Sequence, residues 1–176
     1  MQYIHDFEIP INKYCENGQR NIYPEFSRCL ICKAVTPMKK HGFYSRYAIV
    51  HGFCFRISIR RYWCRCCKQT VSVLPTLLLP YYQHSIEVIM SSLNNFFQKK
   101  KDRIVFYKQL VESHGKRFIK NIPRYISFFR DMDSQLIFNG DKKEKAIKLL
   151  EMICSFPKEA FAKRFFNHFD TSFMAN

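Results

Sequence analysis

The stretch FCFRISIRRYWCRCCKQTVSVLP, residues 53–75, decides the fold. In its first half, Phe53, Phe55, Ile57, Ile59 and Arg61 share one face of an extended chain, and Cys54, Arg56, Ser58 and Arg60 share the other. QTVSVLP (69–75) offers a further short strand. Between the two lies WCRCCK, with Cys64, Cys66 and Cys67 inside four positions. Working outward, KHGFYSRYAIV (40–50) reads as a strand joined to residue 53 through His51-Gly52, a hairpin turn. RCLICK, further upstream, contributes Cys29 and Cys32.

Two CxxC pairs separated by 31 residues are what a tetrahedral site of four thiolates requires. Each pair can sit on a tight knuckle whose backbone N–H groups point at sulfur, and the hairpin brings the knuckles together. The expected ligands are Cys29, Cys32, Cys64 and Cys67, holding one structural Zn2+ ion. Pairing Cys64 with Cys66 would leave a single residue between ligands, too tight for a knuckle. Cys66 is then either an extra thiol facing away or an occasional substitute ligand. Four thiolates leave no open coordination position, which excludes a catalytic role for the metal. They also leave His41 and His51 to turn or surface roles, and Cys15, Cys54 and Cys154 read as ordinary thiols. Knuckle, hairpin, knuckle, strand describes a three-stranded zinc ribbon, a core too small to hold without metal.

The run RCLICK…MKKHGFYSRY…FRISIRRYWCRCCKQTVSVLPTLLLPYYQHSIEVI resembles short bacterial zinc-ribbon proteins related to insertion-sequence transposases. The likeness covers residues 28–90 well and continues more loosely to about residue 130. It implies DNA binding in a mobile-element context and says little about activity. This chain departs from the pattern at Cys66, where the second knuckle normally has a residue that is not a ligand. It departs again at Leu30, where a proline is usual. Neither departure removes a ligand.

From Gln83 the apolar period changes to that of helices. His84 or Ser85 can cap a helix with Ile86, Ile89, Met90, Leu93 and Phe97 on one stripe. KKKDRIVFYKQLVESHG suggests a second helix, with Ile104, Tyr107, Leu110 and Val111 at helical spacing and Gly115 as its C-cap. Phe118, Ile122, Ile126 and Phe129 form a third stripe across Pro123, which either kinks a helix or starts a new one at Asn121. Helix, glycine turn and basic helix outline a helix-turn-helix whose recognition element would carry Lys116, Arg117, Lys120, Arg124 and Arg130. Residues 141–169 read as an amphipathic pair, capped by Asp141, with Phe161, Phe165, Phe166 and Phe169 turned inward.

The expected class is therefore α+β: an arm over residues 1–25, the zinc ribbon over 26–82, and an all-α segment over 83–176, its basic helices in 83–131. No export signal opens the chain and no apolar run approaches a membrane span, so the reading is soluble and cytoplasmic, with no membrane partner.

Charge is concentrated by position. Residues 26–86 hold ten basic side chains and no acidic one, and residues 99–130 hold ten basic against two acidic. Such asymmetry points to a polyanion. DNA is the expected partner, contacted through Lys39, Lys40, Arg46, Arg56, Arg60, Arg61, Arg65 and Lys68 on the ribbon and by the basic helix beyond it. RNA is the alternative. The carboxylates Asp131, Asp133 and Asp141 fall where turn and cap residues belong, so no nuclease triad is expected and the chain is not read as an enzyme. A third reading makes it the detached N-terminal part of a transposase, docking on a partner or on itself through its C-terminal helices.

Overall fold

The hairpin that the sequence outlines forms one side of a four-stranded sheet, with its first strand at the edge. The structure, a computed structural model, describes residues 1–98 and 107–175. The chain is α+β, with six α-helices among the described residues, and divides into two units, Met1–Gln83 and His84–Asn176.

In the first unit the strands are β1 (Gln2–His5), β2 (Lys39–Val50), β3 (Phe53–Trp63) and β4 (Thr70–Pro75). Their order across the sheet is β1-β4-β3-β2, with β1 parallel to β4 and the other pairs antiparallel. His51 and Gly52 close the hairpin with φ of 49° and 84°. Positive φ at both central residues lets the turn follow the strands' right-handed twist, and glycine takes the second position without a steric cost. Ile57 and Ile59 are fully buried, with Ala48, Leu74, Leu78 and Tyr14 in one cluster. Tyr62, Val71, Val73 and Met38 form a second cluster with Cys29 and Cys64. Phe53, on the same face as Ile57 and Ile59, is 71% exposed because it stands at the hairpin end, beyond the reach of the core.

The first 25 residues are not an arm. Residues 2–5 pair with β4 from Ser72 to Pro75, which adds a fourth strand to the three expected. α1 (Ile11–Asn17) follows, and its Tyr14 is buried with the hydroxyl donating to the Ser58 carbonyl at 2.8 Å. Tyr23 donates to the same carbonyl at 3.1 Å. The net acidity of this segment hid a short aromatic set: Phe7 meets Tyr14 and Tyr23 edge to face, and Tyr3 meets Phe26 in the same way. That burial is what holds the segment on the sheet.

The second unit is helical: α2 (Ile86–Gln98), α3 (Lys108–Lys120), α4 (Ile122–Met132), α5 (Lys142–Ser155) and α6 (Lys158–Phe169). Ser85 caps α2, its hydroxyl accepting from the Val88 N–H at 3.3 Å, and the expected stripe from Ile86 to Phe97 is buried. Residues 99–106, including Ile104 and the start of the second expected helix, lie outside the described residues. Tyr107 stands at the N-cap of α3, 85% exposed, rather than on its inner stripe.

The turn that the helix-turn-helix expectation put at Gly115 is helix instead. Gly115 caps nothing: α3 runs through it to Lys120. A Cβ at this position would fall inside the Phe96 ring, so the glycine permits α2 and α3 to pack closely. The break comes later, at Asn121, with Pro123 in the first turn of α4. Asn121 is buried, and its amide donates to the carbonyls of Arg117 (3.0 Å) and Ala175 (2.7 Å). The supposed recognition element is thus split between two helices. Asp141 caps α5 through a capping box with Glu144. Phe161, Phe165 and Phe166 are buried and Phe169 is half-buried.

Candidate metal centre and its basic surround

The two CxxC segments adopt one backbone. In the first, the Cys29 N–H donates to the Ala34 carbonyl at 3.0 Å and the Lys33 N–H to the Cys29 carbonyl at 3.1 Å. In the second, the Cys64 N–H donates to the Gln69 carbonyl at 3.0 Å and the Lys68 N–H to the Cys64 carbonyl at 3.1 Å. This turn aims the N–H groups of Ile31 and Cys32 at the Cys29 sulfur, at 3.3 and 3.4 Å.

Strand β3 delivers Cys64 at its end, and the hairpin returns the chain beside the first knuckle. The sulfurs of Cys29 and Cys67 are 3.8 Å apart, as are those of Cys32 and Cys64, and all four lie within 4.8 Å of one another. They are close enough to hold a metal ion. Cys29 and Cys64 are buried, Cys67 is half-buried and Cys32 is exposed, so the cluster sits at the edge of the core. Cys66 takes the place that Ile31 has in the first knuckle; its sulfur is exposed and lies 3.5 Å from the Thr36 hydroxyl, outside the cluster.

Electrostatics favour a cation at the centre. The Cys64 thiol is held down to about 6, above all by the Cys67 N–H at its sulfur, with help from the Cys66 N–H against burial. At Cys32 the Ala34 N–H pulls down, but burial and the neighbouring sulfurs of Cys29, Cys67 and Cys64 win and push the thiol up to about 11. Four sulfurs this close cannot all ionise without a positive ion between them.

The basic side chains of the first unit fall into two groups. Arg46 is spoken for: its guanidinium donates to the carbonyls of Leu79 (3.3 Å) and Tyr82, and burial lowers its pKa. It pins the loop after β4. Nothing in the sequence signals this, because the acceptors are backbone carbonyls. Lys40 meets Glu25 at 3.4 Å in an exposed pair.

The others are laid over aromatic rings or open to solvent. Arg60 lies 4.5 Å over Phe43, Arg61 5.9 Å over Tyr44, and Lys68 5.2 Å over Trp63. His41 stacks on the same Trp63 at 6.4 Å, and Lys39 is its cross-strand partner. Among the described residues, neither Arg60 nor Arg61 finds a hydrogen-bond partner for its buried Nε. Arg56 and Arg65 are exposed. Sequence reading missed Phe43 as the platform for Arg60; the register that pairs the two across β2 and β3 is what reveals it.

In the second unit, Lys116 and Lys120 are exposed on α3 and Arg117 is half-buried there. Arg124 is exposed on α4, its guanidinium donating to Asn121 Oδ1 at 3.3 Å. The three aspartates are engaged locally. Asp131 pairs with His168 at 3.0 Å, Asp133 accepts from the Gln135 N–H at 3.0 Å, and Asp141 caps α5.

Residues 29–105 match a family described as a domain of unknown function (DUF6431). The matched segment takes in both knuckles, strands β2 to β4 and helix α2, so all four clustered cysteines lie inside it. No curated protein and no solved structure matches the chain. No helix among the described residues is long and apolar enough to cross a membrane.

Proposed function

We propose that this chain is a zinc-dependent DNA-binding protein related to insertion-sequence transposases, its first unit a zinc ribbon and its metal structural. The metal reading is supported by distance. Zinc sits about 2.3 Å from each of four thiolates, and the edge of that tetrahedron is about 3.8 Å. The Cys29–Cys67 and Cys32–Cys64 sulfurs are each 3.8 Å apart, and all four lie within 4.8 Å of one another. Two opposed knuckles and the strands between and after them supply the ribbon. A closed set of four thiolates leaves the ion no site for a substrate, so chemistry on DNA would fall to a partner.

The observation that carries the DNA reading is the strip of basic side chains beside the sulfurs: Arg61 over Tyr44 and Lys68 over Trp63, with Lys39 across the strand from Trp63 and His41 stacked on it. Arg60, Arg61, Arg65 and Lys68 make no ion pair among the described residues. A four-thiolate zinc site carries two net negative charges, which offsets part of this cluster and leaves the rest to face a polyanion. The resemblance to transposase-related proteins supports duplex DNA as that polyanion.

The test is binding of the zinc-loaded protein to random-sequence duplex across a salt series, followed by selection from the pool. Affinity should fall steeply with salt, and Arg61→Ala or Lys68→Ala should each flatten the slope by about one. Absence of any duplex binding at low ionic strength sinks the proposal. Preference for structured RNA over duplex would move the same surface to RNA.

A further inference from the structure

The second unit carries a groove of about 760 Å³ between α3, α4 and the start of α5. Its floor is Ile119, Ile122, Pro123 and Ile126. Four cations, Lys120, Arg130, Lys142 and Lys145, stand on its rim, against one carboxylate, Asp131, which His168 engages. No aromatic side chain lines it, so nothing offers a base a stacking surface. An aliphatic floor ringed by cations fits an apolar side chain carried between carboxylates.

The same unit displays such a segment. Met132, at the end of α4, is 52% exposed, and Ile137, in the connection to α5, is 65% exposed. Asp131, Asp133 and Asp141 flank them. The connection has a fixed backbone: Phe138 is buried with Lys148 over its ring at 5.3 Å, and Lys148 donates to the Ile137 carbonyl at 3.0 Å. Ile137 is therefore held outward at little further entropic cost on binding. The segment joins the very helices that line the groove, so groove and segment are neighbours on one surface. Adjacent complementary patches are what a two-fold contact needs, each copy giving and receiving the same feature.

We propose that the second unit is a homodimerisation surface, with the Met132–Ile137 segment of one copy seated in the groove of another. Ile137 and Met132 meet the isoleucine floor, and Asp133, the flanking aspartate that neither lines the groove nor caps α5, meets the lysine and arginine rim. The proposal does not depend on DNA binding by the first unit.

Analytical ultracentrifugation of the full, zinc-loaded chain without nucleic acid tests it. The wild type should form a salt-weakened dimer. Ile137→Lys puts a cation against the cationic rim, and Lys145→Glu removes one rim charge and adds the opposite. Each should raise the dissociation constant by about tenfold or more. The circular dichroism spectrum should stay unchanged, since Ile137 is exposed and Lys145 is half-buried at the rim. A chain that stays monomeric up to high concentration overturns the proposal. So does a dimer indifferent to both substitutions, or a monomer in which Lys145→Glu instead weakens DNA binding.

Discussion

Lys33 and Lys68 hold the same left-handed backbone, with φ of 60° and 58°, one residue beyond the second cysteine of each knuckle. An L-residue pays roughly 1 kcal/mol for that conformation, and a β-branched one more. Lys33→Gly should therefore keep or slightly raise metal affinity, whereas Lys33→Val should lower it. Competition with a chromophoric chelator measures both. Equal affinity in the two variants would mean the turn is not part of the site.

The equivalence of the knuckles also assigns the three cysteines of the second one. Cys64 and Cys67 stand where Cys29 and Cys32 stand, and Cys66 matches Ile31. Cys66→Ser should retain one zinc per chain by native mass spectrometry. Cys67→Ser should lose it and unfold the first unit, as should chelation of the wild type, because such sites supply about 10 kcal/mol or more of folding energy. Retention of zinc by Cys67→Ser with loss by Cys66→Ser would reverse the assignment.

Gly115 and the Phe96 ring occupy one another's space in the packing of α2 on α3. Gly115→Ala gains helix propensity of about 1 kcal/mol but must displace the ring, at about 1–3 kcal/mol for overpacking. A net loss of stability is expected in denaturant unfolding, relieved when Phe96→Leu is added. Stabilisation by Gly115→Ala alone would show that the contact is loose.

Most of the sheet and the metal cluster could be read from the sequence because both rest on short-range signals. Period-two alternation set β3, and the CxxC spacing set the four sulfurs. What escaped depended on distant partners. Strand β1 pairs with residues about seventy positions away, and its four residues carry no alternation that distinguishes them from a tail. Gly115 looked like a C-cap because a glycine after an amphipathic run usually is one; only the facing Phe96 reveals the other use. Arg46 looked like its basic neighbours, since carbonyl acceptors leave no trace in side-chain identity.

That difference between the arginines predicts separate effects on stability and on the proposed DNA binding. Arg46 is tied to the carbonyls of Leu79 and Tyr82, while Arg61 lies over Tyr44 with its Nε unpartnered. Arg46→Ala leaves carbonyls without a donor and should cost about 1–3 kcal/mol of stability. Its effect on DNA affinity should vanish once the folded fraction is accounted for. Arg61→Ala should do the reverse: little change in unfolding midpoint, but weaker binding at low salt. Equal effects on both properties would merge the two roles.

His114 carries the pH dependence of the second unit. It is buried on α3, its Nδ1 2.6 Å from the Ser92 hydroxyl, with the His84 ring 5.9 Å away. Burial above all, then the charges of His84 and Arg117, lowers its pKa to about 4, and burial lowers His84 as well. The folded state thus holds His114 neutral while the unfolded chain takes up a proton below about 6.5. Its contribution is intact above that value and is lost as pH falls from about 6.5 towards about 4. Urea unfolding should show lower stability at pH 5 than at pH 7.5. In His114→Gln, which keeps an amide near Ser92 but cannot titrate, the difference should shrink to the residue left by His84 and the carboxylates. A pH dependence unchanged by this substitution would remove His114 from the account.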